Sequence, residues 1–197
     1  MAAAKLFLLS CLVAVVGYFT YRELQVSTLG LVKKIHIPAK RSDVFQKLFD
    51  DPEFYVKIHP LCTGVSNIVR FKDNEGRRVV QFDIHEKAVL FGFYDTGNIT
   101  FQITTKEKEK NTATQTTASL INGMFQINQE FHMTDSEGGT LLEDHASYTA
   151  PRILARIALR EAQSAHSAIL ENTREQFMEL SLQPSSKSIK NKGHYNF

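Results

Sequence analysis

A chain of 197 residues with a 43% hydrophobic composition is long enough for one domain of about 150 residues plus appendages, which excludes a disordered or fibrous protein. Its 23 basic and 21 acidic residues are spread along the chain and leave a formal charge of +2, so there is no basic stripe to neutralise phosphates, and nucleic acid is not an expected partner. Cys11 and Cys62 lie far apart and imply no disulfide framework.

The N-terminus differs from the rest. The run LFLLSCLVAVVGYFTY from Leu6 to Tyr21 is uncharged and bracketed by Lys5 and Arg22. As a helix it would span about 24 Å, short of a bilayer core of about 30 Å, with Lys5 and Arg22 placed to snorkel. The expectation is a single-pass transmembrane anchor through residues 6–21, with anchor and linker together forming residues 1–28. A cleaved signal peptide is the alternative, although no A-x-A site follows and Tyr18, Phe19 and Tyr21 are bulky where small residues are wanted. A buried N-terminal helix is the third reading. Arg22, Lys33, Lys34, Lys40 and Arg41 follow the run and only Lys5 precedes it, which places the domain on the cytosolic side. The triplet NIT at Asn98 would matter only in a secreted or lumenal protein.

Beyond the linker, LGLVKKIHIPA from Leu29 to Ala39 alternates Leu31, Ile35 and Ile37 with polar neighbours and predicts a strand ending at Pro38. Ser42 and Asp43 suit a helix N-cap before Val44, Phe45, Leu48 and Phe49, which repeat at helical spacing. Pro52 then starts a second short helix in DPEFYVKIH. From Thr63 to Ala150 strand patterns alternate with turn signals such as DNEG, DTGN, ING and DSEGG, giving an antiparallel meander. Val80, Phe82 and Ile84 alternate with Gln81, Asp83 and His85, so one face is apolar and the other wet. A long helix over about 152–181 carries Leu154, Ala158, Ala162, Ala165, Ile169, Thr173, Phe177 and Leu180 on one stripe. Residues 183–197 are polar and basic without periodicity and read as a flexible tail.

These elements predict an α+β fold in which a curved antiparallel sheet of six or seven strands is closed by the long C-terminal helix, the whole preceded by an N-terminal transmembrane helix. The segments VKKIHIPAKRSDVFQKLFDDPEFYVKIHPLCTGVSNI and GGTLLEDHASYTAP resemble the opening strand, first helix and pre-strand corner, and the last hairpin, of the START-like helix-grip superfamily. That superfamily (SRPBCC) includes the polyketide cyclase/dehydrase and coenzyme Q-binding families. The resemblance covers about residues 31–180 and implies a domain over 29–182.

Candidate chemistry is sparse. His59 and Cys62 in IHPLC lack a local group to orient the imidazole, and the stretch reads as a structural corner. There Leu61 and Cys62 pack beneath the sheet edge and His59 stays at the surface or caps a helix carbonyl. His85, His132 and His145 lie on different strands without metal-ligand spacing, so no metal is expected, and alternation puts His85 and His132 on the polar face. No phosphate-binding glycine loop occurs. The alternating charges of KEKEK, Lys106 to Lys110, suit a solvated turn. Glu143, Asp144 and His145 would supply an acid/base group if Glu143 or His145 faced a cavity, as the resemblance implies for enzymatic members of the superfamily.

The remaining feature is an apolar interior. Phe82, Ile84, Phe91, Phe93, Phe101, Phe125, Ile127 and Phe131 on the sheet, with Ala158, Ala162, Ala165 and Ile169 on the helix, are the expected cavity wall. The reading is a membrane-anchored protein that binds or transfers a lipid, sterol or isoprenoid, with no cofactor and no catalytic residue, admitting its ligand past Ala88 to Phe93. The alternatives are a cyclase/dehydrase-type enzyme, which two inward-facing ionisable groups in one pocket would favour, and a protein-interaction module with a solid interior.

Overall fold

The structure, a computed structural model, describes residues 2–90, 94–120 and 122–182, and side chains from Leu12 onward except at 88–96 and 121. Helix α1 (Ala2–Leu24) leads into strand β1 (Val26–Ile37), short helices α2 (Arg41–Asp50) and α3 (Phe54–Ile58), six further strands and helix α4 (Arg152–Leu182). The strands are β2 (Cys62–Lys72), β3 (Arg78–Leu90), β4 (Tyr94–Glu109), β5 (Ala113–Leu120), β6 (Phe125–Ser136) and β7 (Gly139–Pro151). They form a seven-stranded antiparallel sheet in the order β1-β7-β6-β5-β4-β3-β2, as a meander requires, with β1 added beside β7. This is the α+β architecture expected from the alternation and turn signals.

The expected transmembrane helix is not supported. Among the described residues no helix is long and apolar enough to cross a membrane. The described side chains of α1 include the polar Thr20, Arg22 and Glu23. Glu23 pairs with Arg156 of α4 at 3.1 Å. The tail 183–197 lies outside the described residues.

Two helix starts differ from expectation. Lys40, not Ser42, occupies the N-cap of α2, and Ser42 Oγ donates to the Asp43 carboxylate at 3.1 Å instead of capping an amide. Helix α3 begins at Phe54, two residues after Pro52, which sits in the preceding turn.

Burial follows the strand alternation. Residues 80, 82 and 84 on β3, 129, 131 and 133 on β6, and 142, 144, 146 and 148 on β7 all face inward and are buried. A large cluster joins Phe45, Phe49, Phe54 and Ile58 of α2 and α3 to Phe82, Ile84, Phe131, Met133 and Leu142 of the sheet and Ile169, Leu170 and Phe177 of α4. A smaller one gathers Ala146, Tyr148 and Ala162 with Leu31, Phe125, Ile127, Ala158 and Leu159. The guanidinium of Arg78 lies 5.4 and 4.8 Å over the rings of Phe45 and Phe49 and pairs with Asp50 and Glu107, tying α2 to β3 and β4.

Helix α4 makes its closest approaches along β1 and β7 and to α3. Its buried stripe is Ala155, Ala162, His166, Ile169, Leu170, Thr173 and Phe177. Leu154 is half-buried and Leu180 exposed, because the helix runs past the sheet at that end.

The β6–β7 hairpin turns on Gly138, whose φ of 74° favours glycine. At Gly139 an added Cβ would lie 2.1 Å from the Ile37 carbonyl oxygen of β1, so the two backbones fit only around a hydrogen. Gly139→Ala is expected to destabilise the fold by about 1–3 kcal/mol, the range for overpacking, as a lowered urea midpoint at unchanged m-value. An unchanged midpoint would contradict this packing.

Candidate functional site: a polar relay inside the grip

Three of the inward-facing polar residues of β6 and β7 meet one another. Asp144 follows Leu142 on β7 and is completely buried, Tyr148 lies four residues on, and Gln129 occupies the neighbouring strand. His166 meets them from α4, where it interrupts the apolar stripe between Ala162 and Ile169. Gln129 Nε2 donates to Asp144 Oδ1 at 3.0 Å, His166 Nδ1 contacts Asp144 Oδ2, and the Tyr148 hydroxyl lies 2.6 Å from His166 Nε2. An ionised carboxylate can only accept, so His166 Nδ1–H donates to Asp144, and the Tyr148 hydroxyl and His166 Nε2 share one hydrogen bond whose direction is set by the charge of the ring. Both Asp144 oxygens are satisfied, which a fully buried carboxylate requires.

A second pair faces the same interior. Glu86 follows Phe82 and Ile84 on the inner face of β3, and its Oε1 lies 3.4 Å from His59 Nε2. The Leu61 amide donates to His59 Nδ1 at 3.3 Å, so the neutral ring carries its proton on Nε2, toward Glu86. Burial pushes the Glu86 carboxyl up to about 7. Burial, with a smaller contribution from the charge of His166, lowers His59 to about 4. Tyr148 is raised by burial and then by the charges of Asp144 and Glu86. Tyr55 of α3 is raised to about 12, chiefly by burial. Its hydroxyl is buried beside Thr116 with no hydrogen bond of ordinary geometry. Tyr55 packs on Phe82 of this same inner face, the ring centroids 5.7 Å apart.

The expected wall residues divide between the clusters. Phe82, Ile84, Phe131 and Ile169 are buried in the larger one, against which Phe101 packs half-buried. Phe125, Ala158 and Ala162 belong with the smaller one, Ile127 touches both, and Ala165 is half-buried. Phe91 and Phe93 lie outside the described residues, while 88–90 continue β3. A groove of about 620 Å³ runs between α2 and the end of α4, and others of about 460 and 310 Å³ lie mainly on the outer face of the sheet. None of the three occupies the space between the inner face and α4.

The other candidates divide, His59, Leu61 and the KEKEK charges differing from expectation. His59 is not a surface residue but is largely buried against Glu86, whereas Leu61, expected to pack inward, is exposed. Cys62 is buried and its thiol is pushed up by that burial, which disfavours a nucleophilic thiolate. In EDH only Asp144 points inward. Glu143 and His145 pair with each other on the outer face, where Glu143 also binds Lys34. His85 bonds Ser66 and Thr100 on the outer face, and His132 meets His145 edge to face at 5.0 Å. Within KEKEK, Glu107 pairs with Arg78 and Lys108 with Glu130, so these charges are not simply solvated. Among the described residues no group of three or more ligating side chains is arranged to hold a metal ion.

The chain matches no protein-family model and no curated protein. Solved structures do match. The di-domain aromatase/cyclase StfQ of the steffimycin pathway has a TM-score of 0.58 at 10% identity over 83% of this chain and 54% of its own, so this chain spans about half of it. The Zhui aromatase/cyclase from Streptomyces gives 0.61 at 12% identity over 81% of this chain and 99% of its own. A START superfamily protein from Mycobacterium smegmatis gives 0.55 at 18% identity over 75% and 97%. The chain therefore has the START-like helix-grip (SRPBCC) fold. At these identities the likeness speaks for the fold alone.

Proposed function

We propose that the chain binds an apolar small molecule between the inner face of the sheet and α4. The observation that carries this reading is the lean of α4 toward β1 and β7, which leaves inward-facing Ile99, Phe101, Leu120, Phe125 and Ile127 only half-buried. Apolar side chains that face a fold's interior without being covered form the wall of a binding site more naturally than a finished core. The fold's neighbours include proteins described as aromatase/cyclases, which is compatible with a hydrophobic ligand. Anchoring at a membrane forms no part of this proposal.

Native mass spectrometry with extraction of co-purifying molecules tests it, together with titration of an apolar fluorophore. Ala165→Phe places a ring at the half-buried inner side of α4 and is expected to weaken fluorophore binding about tenfold or more while the protein still melts cooperatively. Binding of no apolar molecule by the wild-type chain would end the proposal.

A second reading, acid/base catalysis on such a ligand, is favoured by one specific observation. Two inward-facing ionisable groups, Glu86 and the His166–Asp144 pair, share the interior. A carboxyl near pH 7 suits proton transfer at neutral pH.

A further inference from the structure

Helix α1 keeps its apolar side chains in the open. Leu12, Val13, Val15, Tyr18 and Tyr21 are each more than half exposed, and with 3.6 residues to the turn they point to every side of the helix. A protein partner covers one face of a helix, whereas an apolar medium covers all of them. An apolar surface of this extent marks a place where the molecule meets something other than water.

The end of α1 that joins the domain adds a second observation. The Arg152 amide donates to the Gln25 carbonyl at 2.9 Å and Arg156 pairs with Glu23 at 3.1 Å, so the start of α4 stands beside the end of α1. Arg152, Arg156 and Arg160 recur every four residues and share one face of α4. Ile153, three residues before Arg156 and seven before Arg160, lies on that face as well and is 48% exposed. Leu24 and Val26 are exposed at the same corner, Val26 opposite Pro151 in the β1–β7 register. Among the described residues Arg22, Arg152 and Arg160 have no carboxylate partner, while Glu23 is taken by Arg156 and Glu161 is the neighbouring exposed acid on α4. Exposed apolar side chains beside unpaired arginines match the two layers of an anionic bilayer, acyl chains beneath acidic headgroups. A two-fold contact between copies of the chain would instead set this group of arginines against itself.

We propose that α1 enters the apolar layer of an anionic lipid bilayer and that Arg22, Arg152, Arg156 and Arg160 rest on the acidic headgroups beside it, with Leu24, Val26 and Ile153 at the boundary. Entry means burial in lipid and not passage across it. The inference does not depend on the apolar-ligand reading above. Each arginine held near such a surface strengthens binding about fivefold, an effect that salt screens.

The chain contains no tryptophan, so Phe19→Trp and Ile153→Trp each install a single reporter, both at exposed positions outside the core. The full chain is translated in the presence of preformed phosphatidylcholine vesicles, with or without phosphatidylserine, and separated by flotation. It is expected to float more strongly with the phosphatidylserine vesicles, with both reporters shifted to the blue and quenched by brominated acyl chains. Replacing Arg22, Arg152 and Arg160 together by Gln is expected to weaken binding to the anionic vesicles about a hundredfold and to leave binding to pure phosphatidylcholine unchanged. Leu12→Glu combined with Val16→Glu is expected to abolish flotation on both. Failure of the wild type to float, equal flotation on the two kinds of vesicle, or an Ile153→Trp emission that stays that of a water-exposed indole would overturn the inference. A dimer of defined mass that ignores vesicles would also overturn it and assign α1 to a second copy of the chain.

Discussion

Asp144→Ala is expected to cost about 3–5 kcal/mol in urea unfolding, the largest single effect anticipated for a polar residue of this chain. The substitution strips the acceptor from the Gln129 amide and from His166 Nδ1 in one stroke, and both are buried. A donor without an acceptor in a dry interior carries its full desolvation cost. Asp144→Asn keeps an acceptor oxygen toward His166 and should lose less. The contrast that identifies the mechanism is a triple replacement, with Asp144, His166 and Gln129 all made apolar at similar volume. That variant is expected to recover most of the stability lost in Asp144→Ala. If the triple variant is no more stable than Asp144→Ala, the network is a stability device and not a site maintained for its chemistry.

The second large effect is a hidden pH dependence. Folding raises the carboxyl of Glu86 from 4.5 to about 7, so between those values the folded chain holds more protons than the unfolded one and its stability falls as pH rises. Folding lowers His59 from 6.5 to about 4, so over that window the unfolded chain holds more protons and stability rises with pH. The two slopes oppose each other from about pH 4.5 to 6.5, and the pair's net contribution in the wild type is nearly flat there. Glu86→Gln removes the falling slope. Its stability relative to wild type is expected to climb by about 3 kcal/mol between pH 4.5 and 8. His59→Gln is expected to gain relative to wild type as pH falls from 6.5 to 4. Carboxylates held low by basic partners, such as Glu107 by Arg78 and Glu143 by Lys34, are common to all three proteins and cancel in the differences. Urea midpoints across pH decide, and a difference between Glu86→Gln and wild type that stays constant with pH would refute the assignment.

Periodicity carried the fold a long way because each strand has one buried face. Phe82 and Ile84 on β3, or Phe131 and Met133 on β6, sort inward by alternation alone. The same alternation contained the site, in a form easily passed over. Glu86 continues the inward register of Phe82 and Ile84, and Asp144 lies between inward Leu142 and Ala146, so both are polar residues at apolar positions. His166 likewise falls on the helical stripe through Ala162, Ile169 and Thr173, where no charge is wanted. Each looks unremarkable alone, and what makes them a site is convergence. The distance from Tyr148 to His166 depends on how α4 crosses the sheet, which no local pattern encodes. The same holds for His59, which looked like a surface corner residue because its partner Glu86 is supplied from β3.

The pairing of β1 with β7 bears on how the chain reaches its fold. Ile37 lies opposite Thr140, and Thr140 Oγ1 closes the Ala39 carbonyl across a separation of 101 residues. Contacts of such long sequence separation are entropically late, and proteins dominated by them fold slowly. During synthesis from the N-terminus, β1 emerges first yet finds its neighbour only after the entire meander has been made. It waits as an open edge carrying Leu29, Leu31 and Ile35, the type of exposed strand that pairs with other chains. Aggregation of nascent or truncated chains is thus most sensitive to what lies in β1, and premature termination anywhere before β7 strands that edge permanently.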